Sequence, residues 1–570
     1  MAGSAAGGDR VSAGPAATLG PSAHVDTFAR DNLPPVADWP RFDFTLAPGL
    51  DYPARLNCAA ELLDATVAAG HGDHPAILCG ATTLSYGALL AEANRIAHAL
   101  VEDLGVVPGN RVLLRGPNNE QLVACWFAVL KAGAIAVTTM PLLRARELAY
   151  TLDKARVTLA LCDARFDQEL VAAAAQAEVG AGGQRARVVR YRAGGPDSLE
   201  ALSAGKPATF ANLDTASDDV ALIAFTSGTT GAAKGTMHFH RDVLAICDTF
   251  SRHVLRPGPD DVFCGTPPLA FTFALGGLLL FPFRVGAAAV LLEQPSPRAL
   301  LQTIQDHRAT TLFTAPTMYR TLLSLLGEYD VSSLRRCVSA GETLPAAVYH
   351  DWLTATGIQT IDGIGATEML HIFISAADDA IRPGATGKPV PGYEACVLDD
   401  AGVPVPPGTV GRLAVRGATG CRYLADPERQ RAYVRDGWNL TGDAYVVDDD
   451  GYFWFQARAD DMIISSGYNI AGPEIENVLL EHPRVKECGV VGTPDPARGA
   501  LVTAYIVPRD PADAGDALAA ELQNFVKAEI APYKYPRRVV FVESLPRTET
   551  GKLQRFRLRQ IAAGSVGRGA

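Results

Sequence analysis

The chain has 570 residues, of which 48% are hydrophobic and 20% charged, with a formal net charge of −11 and a pI near 5.5. That length exceeds what one hydrophobic core serves and implies a large body plus at least one further domain. The acidic balance excludes a nucleic-acid-binding surface, and ten scattered cysteines without a C-x-x-C pair read as reduced core thiols of a cytoplasmic protein, not as a disulfide frame or zinc site.

The first twenty or so residues are small and flexible and lack the apolar core of a signal peptide, so a disordered leader is expected through Ser22. Helix and strand patterns then alternate: helix over 88–101, strand at 111–114, helix over 121–132, strand at 134–137, helix over 145–154 and strand at 157–161. Such alternation predicts parallel sheets covered by helices. The apolar run 220–225 is a buried strand leading into TSGTTGAAKG, which starts at Thr226. The stretch 275–292 is very apolar but broken by Gly276, Gly277, Pro282, Arg284 and Gly286, which predicts a buried helix and strand and no membrane span. The alternation resumes with strand 310–313, helix 317–326 and strand 336–339. From about 387 to 455 short strands separated by Gly, Pro and Asp turns predict a small β-barrel or β-layer. A compact α+β lobe of about a hundred residues follows, with a helix over 473–480 that has proline at its first turn and Pro483 beyond its end.

The segment from Thr226 presents short hydroxyl donors (Thr226, Ser227, Thr229, Thr230), glycines that let the backbone approach an anion (Gly228, Gly231, Gly235) and one ammonium, Lys234. Directly after a buried strand, this is a way to hold a polyphosphate. A Walker loop is excluded, because Ala233 precedes the lysine where glycine is needed, and Gly235 follows it where a Mg²⁺-binding hydroxyl is needed. The plainer alternative is a solvated Gly/Ser/Thr linker.

Four further islands accompany this loop: DGIGATEM from Asp362, TGD from Thr441, ARADDMIISSGYNI from Ala457 and PRTETGK from Pro546. In this order the five motifs resemble the adenylate-forming superfamily, over nearly the whole chain from about Asn57. Within it the chain is most similar to benzoate-CoA and 2-aminobenzoate-CoA ligases, through RGPNNEQLVACWFAVLKAGAIAV from Arg115, DGIGATEMLHIF from Asp362 and SSGYNIAGPEIE from Ser465. It departs from the common pattern at Ala233, usually proline, at Ala457, usually glycine, and at Ser466, often glycine beside the thiol tunnel.

The resemblance implies an α/β fold: a large N-terminal domain (23–457) of parallel α/β subdomains plus a small β-barrel, then a small mobile α+β C-terminal lobe (458–562) and a flexible tail (563–570). It implies activation of an aromatic carboxylic acid as acyl-AMP, then a CoA thioester, with ATP, Mg²⁺ and coenzyme A as the cofactors. Thr226, Ser227, Gly228, Thr229, Thr230, Gly231 and Lys234 would hold the outer phosphates. Glu368 would coordinate Mg²⁺ together with ATP oxygens, and Thr367 would touch the α-phosphate. Gly341, Glu342, Thr343, Asp362 and Gly363 would form the adenine-side wall, Asp443 would bind the ribose and Arg458 would support it. Lys552 would bridge carboxylate and α-phosphate, Asp460 would be the hinge of the small lobe, and Gly467 would line the CoA channel. For the acid, Phe273 would stack on the ring, Ala340, Gly341 and Gly365 would form a slot without bulk, and His371 and Ile372 would close it.

Each residue also has a plainer reading. Asp443 could be a turn residue, Glu368 a helix-terminal carboxylate, Lys552 part of a solvated basic run with Arg547, Arg555, Arg557 and Arg559, Asp460 an exposed carboxylate beside Asp461, and His371 a satisfied core histidine. Two other functions compete: an enzyme loading an aryl acid onto a carrier-protein thiol, and a nucleotide-binding regulator without catalysis. A carrier protein and a second copy of the chain are the candidate protein partners; nucleic acid and membrane are not expected.

Overall fold

The computed structural model describes residues 19–177, 185–226, 233–458, 461–465, 468–495, 499–530, 534–547 and 553–566. Two large sheets carry the body. One has six strands in the order Arg187–Tyr191, Leu159–Asp163, Arg111–Arg115, Ile135–Thr139, Val220–Thr226 and Lys234–Phe239; all are parallel except the last, which runs antiparallel to Val220–Thr226. The other has nine strands. Its parallel centre runs Thr360–Gly365, Arg336–Ala340, Thr311–Thr314, Val262–Gly265, Ala288–Val290 and Pro75–Cys79, with antiparallel strands at both edges.

The helix Glu120–Lys131 shows why the local sequence folds as it does. Asn119 caps it by accepting from the Leu122 N–H, and every residue from Leu122 to Lys131 is buried. A helix apolar on all sides from Leu122 to Leu130 belongs inside a large protein; burial of Phe127 alone contributes about 1.5–3 kcal/mol. The charged residue at its carboxyl end, Lys131, is fully buried and bonded to Asp64 at 2.6 Å, as a buried ammonium requires. The stretch 275–292 is likewise internal: helical segments Thr272–Leu275, Gly276–Leu280 and Phe281–Val285 precede strand Ala288–Val290. Among the described residues no helix is long and apolar enough to cross a membrane. The ten cysteines are unpaired, nine of them buried.

One expectation needs correcting. The disordered leader was placed through Ser22, but the chain is anchored before that point. The Gly20 N–H donates to Asp218 at 2.9 Å, the Ser22 hydroxyl donates to Asp219, and the Ala23 N–H donates to Asp219 at 3.0 Å. The two carboxylates at the start of strand Val220–Thr226 give this polar segment its partners. The small β-barrel or β-layer expected over 387–455 takes the form of an antiparallel sheet of Tyr393–Leu398, Gly411–Gly417, Trp438–Val447, Val434–Arg435 and Phe453–Arg458, whose strand order does not close on itself among the described residues.

After residue 460 a hairpin, Ile463–Ser465 with Tyr468–Ile470, and a three-stranded sheet, Val485–Asp495, Gly499–Pro508 and Arg538–Phe541, pack with helices Gly472–Glu481 and Asp516–Glu529. Ile463, Ile475, Leu479, Val490, Val502, Leu518 and Leu522 form a core of their own, separate from that of the two large sheets. The basic run near the C-terminus is not simply solvated: Arg547 pairs with Glu487 at 2.8 Å, Arg555 with Glu476 at 2.6 Å, and Arg559 with Asp461.

Candidate active site

The glycine-rich segment joins the two antiparallel strands at one edge of the six-stranded sheet. Thr226 ends one strand and pairs with Lys234, the first residue of the next. Ser227, Gly228, Thr229, Thr230 and Gly231 lie outside the described residues, as do Asp460, Gly467 and Lys552. The Lys234 ammonium sits 5.5 Å from the centroid of the Tyr423 ring. Gly235 is tightly packed: a Cβ there would lie 3.1 Å from the Phe225 ring and 3.2 Å from Ile223.

Thr367 and Glu368 occupy a short helical turn, Thr367–Met369, that follows strand Thr360–Gly365. Leu370 then adopts φ +68°, a left-handed conformation costly for a branched side chain, and the chain reverses into the antiparallel strand Ile372–Ser375. Three side chains hold the turn, one of them Thr419, whose hydroxyl donates to the Met369 carbonyl at 2.7 Å. His238 Nε2 lies 2.8 Å from the Thr367 carbonyl oxygen, and the Tyr423 hydroxyl donates to Glu368 Oε1 at 2.5 Å. Glu368 is 8% exposed and Tyr423 1%. Burial, and next the Glu368 charge, push the Tyr423 phenol far above its ordinary range, so it remains a donor. Burial pushes His238 down to about 4, so it is neutral.

The strands of the nine-stranded sheet place Ala340 beside Gly363 and Ser339 beside Asp362 at their carboxyl ends. Gly341 has φ +89°, which glycine alone adopts without strain. Glu342 accepts from the Thr317 hydroxyl at 2.6 Å through Oε2, while its Oε1 has no hydrogen-bond partner and lies 3.7 Å from the Arg547 guanidinium of the C-terminal lobe. Thr343 follows in the same segment. Asp362 Oδ1 is buried without a partner, and burial pushes this carboxyl up to about 7. Gly363 and Gly365 are demanded by their neighbours: a Cβ at Gly363 would lie 2.7 Å from Ile372, and one at Gly365 2.8 Å from the His371 carbonyl oxygen.

Asp443 and Arg458 face each other across paired strands. The Arg458 guanidinium donates to Asp443 at 2.9 Å and to the Thr441 carbonyl at 3.1 Å. Gly442 between them has φ +77°.

Phe273 and His371 come together, with ring centroids 5.7 Å apart. His371 is 3% exposed and also lies 4.6 Å from Phe281, 5.4 Å from Phe250 and 6.4 Å from Phe313. Its Nε2 meets the Phe273 carbonyl oxygen at 3.2 Å, and its Nδ1 is buried without a partner. Burial pushes the imidazole down to about 3, so it is neutral, with Nε2 donating and Nδ1 left as an acceptor. Ile372, Ala340 and Phe313 belong to one buried cluster, against which Phe273 packs.

The sequence motifs missed Tyr423 and His238 as neighbours of these groups, and Arg547, inside PRTETGK, was legible only as part of a basic run. A separate cleft of about 490 Å³ lies at the opposite, amino-terminal end of strand Arg336–Ala340, lined by Arg335, Arg336, Leu353, Ile358 and Asp378, away from Glu368.

Residues 65–422 match the profile of the AMP-binding enzyme family, and residues 474–552 match the AMP-binding enzyme C-terminal domain. The chain belongs to the AMP-binding enzyme family. Among curated members it is 35% identical over 520 residues to a benzoate–CoA ligase of Thauera aromatica, covering 90% of this chain and 97% of that protein. It is also 35% identical to a 3-hydroxybenzoate–CoA ligase of Aromatoleum sp. (strain CIB), covering 89% and 97%. Among solved structures, the anthranilate CoA ligase AuaEII in complex with anthranoyl-AMP superposes with a TM-score of 0.85 at 34% identity, covering 90% of this chain and 99% of that one. A benzoate CoA ligase of Burkholderia xenovorans LB400 gives 0.80 at 32%, covering 88% and 100%. The α/β fold with a small C-terminal lobe is thus that of an AMP-binding ligase.

Proposed function

We propose that this enzyme is an AMP-forming aryl-CoA ligase for benzoate-type acids, 2-aminobenzoate and hydroxybenzoates included, acting in the cytoplasm. The observation that carries the reading is the aromatic enclosure of Phe273, Phe250, Phe281 and Phe313 around a neutral His371, three residues after Glu368. The named benzoate, hydroxybenzoate and anthranilate ligases among its relatives support it.

In the first half-reaction a carboxylate oxygen attacks the α-phosphorus of ATP, and pyrophosphate leaves. In the second the CoA thiol attacks the acyl carbon, and AMP leaves. Thr226 to Lys234 would hold the outer phosphates. Gly341, Glu342, Thr343, Asp362 and Gly363 would border the adenine, and the unpartnered Asp362 Oδ1 suits an exocyclic amino donor. Asp443, oriented by Arg458, would accept from the ribose. Thr367 would contact the α-phosphate.

Among the described residues no three His, Cys, Asp or Glu side chains converge on one point. A lone buried carboxylate fits Mg²⁺ bound mainly through nucleotide oxygens, with Glu368 as its protein contact. When bound, the ion would offset phosphate charge as pyrophosphate departs. Lys552 would stabilise the same transition state from the C-terminal lobe, and rotation at Asp460 would then bring Gly467 and the thiol channel to the acyl carbon. Ala340, Gly341, Gly365, Ile372 and Phe273 would shape the slot for a flat ring.

The test is pyrophosphate release over benzoate, 2-aminobenzoate, 3-hydroxybenzoate, hexanoate and acetate, followed by product formation with free CoA or with a phosphopantetheinylated carrier protein. Benzoate-type acids are expected to exceed the alkyl acids by about a hundredfold or more in kcat/KM, with CoA as the acceptor. Hexanoate turning over as well as any benzoate would reject the aryl assignment, and exclusive use of the carrier would reject CoA.

A further inference from the structure

Tyr423 lies in none of the five sequence motifs, yet it is the side chain that engages Glu368. Its place is determined from several directions. The Arg422–Leu424 backbone runs along strand Lys234–Phe239, with the Met237 N–H donating to the Arg422 carbonyl at 2.8 Å and the Leu424 N–H donating to the Gly235 carbonyl at 2.8 Å. The Tyr423 N–H donates to Gln430 Oε1 at 2.9 Å. Next to it, Arg422 is buried against Asp242 at 2.7 Å, so the segment has little freedom to shift. The Tyr433 ring packs edge-on against the Tyr423 ring at 5.8 Å. From this seat the phenol reaches Glu368 Oε1 at 2.5 Å, while the ring face looks toward Lys234 at 5.5 Å.

The strand that leaves the glycine-rich segment therefore controls both members of the Thr367–Glu368 turn: through His238 on the Thr367 carbonyl, and through the Arg422–Leu424 backbone and Tyr423 on the Glu368 carboxylate. We infer that Tyr423 is a positioning residue for the metal-holding carboxylate: its O–H occupies one Glu368 oxygen, fixes the carboxylate plane and turns the other oxygen to the ion, so that the phosphate-binding segment and the metal site are set as one unit. A carboxylate held by a single strong donor keeps one orientation; without it the side chain samples several rotamers, and only a fraction of them present an oxygen to the ion.

This inference rests on the reading of Glu368 as the Mg²⁺ contact, and the experiment separates the two. The full-length enzyme is titrated calorimetrically with adenylyl imidodiphosphate in EDTA and again in saturating Mg²⁺. The readout is the ratio of the two dissociation constants, which reports metal–nucleotide coupling without turnover. Tyr423→Phe, which removes only the hydroxyl, is expected to lower that ratio about tenfold while changing the metal-free affinity by less than about twofold. Glu368→Gln should lower it at least as far. Replacing Tyr423 by 3-fluorotyrosine, which keeps the O–H donor, should preserve the parental ratio even if Tyr423→Phe folds poorly. An unchanged ratio in Tyr423→Phe with a collapsed ratio in Glu368→Gln would overturn the role of Tyr423 alone. Unchanged ratios in both would overturn the Glu368 assignment beneath it. Loss of affinity equally with and without Mg²⁺ in Tyr423→Phe, not restored by fluorotyrosine, would reduce Tyr423 to a general packing residue.

Discussion

The imidazole of His371 is tied by Nε2 to the main-chain oxygen of Phe273 at 3.2 Å, which leaves Nδ1 buried and free to accept. A ring substituent with an N–H or O–H can use that acceptor, and unsubstituted benzoate cannot. His371→Ala should therefore lower kcat/KM for 2-aminobenzoate or 3-hydroxybenzoate about tenfold more than for benzoate. Because the imidazole is held near 3, the parent's preference among these acids should not change between pH 5.5 and 8. Steady-state kinetics of the three acids across that range checks both statements, and equal losses for all three would remove His371 from substituent recognition.

Gly276 backs the same imidazole. A Cβ there would lie 2.4 Å from His371 Cδ2 and 3.0 Å from Phe281 Cζ, so Gly276→Ala must displace one or both rings. Overpacking of this kind costs about 1–3 kcal/mol, and its functional share should fall on the acid. KM for benzoate is expected to rise about tenfold with KM for ATP little changed. If KM for ATP rises in parallel, the enclosure is not where the acid binds.

Asp362 gives a pH signature. Its carboxyl is at about 7 in the folded protein against about 3.9 in an unfolded chain. Between those values the native state holds the extra proton, so the sign is unusual for an acid: its contribution is fully favourable below about 4 and is lost as pH rises through 7. Asp362→Asn, which has no proton to lose, should gain stability relative to the parent between pH 5 and 8. The gain should be about 1–2 kcal/mol, reduced from the full linkage value because the side chain is partly open to solvent. Urea unfolding of both proteins at several pH values measures it; a constant difference would refute the raised carboxyl.

Lys552 is expected to serve only the first half-reaction. Lys552→Ala should lose acid-dependent pyrophosphate release by two orders of magnitude or more, since it removes a positive charge from the phosphoryl-transfer transition state. Supplied benzoyl-AMP and CoA should still give benzoyl-CoA at near the parental rate. Equal loss in both half-reactions would show that the lysine acts otherwise.

What the sequence determined by itself was local. Strand and helix alternation followed from apolar periodicity, and the helix placed at 121–132 forms at Glu120–Lys131 because a capping asparagine and an unbroken apolar run are short-range features. The family resemblance was equally local, carried by contiguous motifs around Thr226, Asp362, Thr441, Ala457 and Pro546. Tertiary structure decided what those motifs touch. Tyr423 reaches Glu368 across 55 positions and His238 reaches Thr367 across 129, and both distances close only because the strand Lys234–Phe239 folds back beside Val220–Thr226. The phenylalanines around His371 come from separate elements and look, residue by residue, like any buried apolar side chain. The sequence does not show that Gly363 and Gly365 also lie against Ile372 and the His371 carbonyl, where an added Cβ would clash. Apolar pattern encodes which residues are inside, but which of them meet is set by the order and direction in which the strands pair.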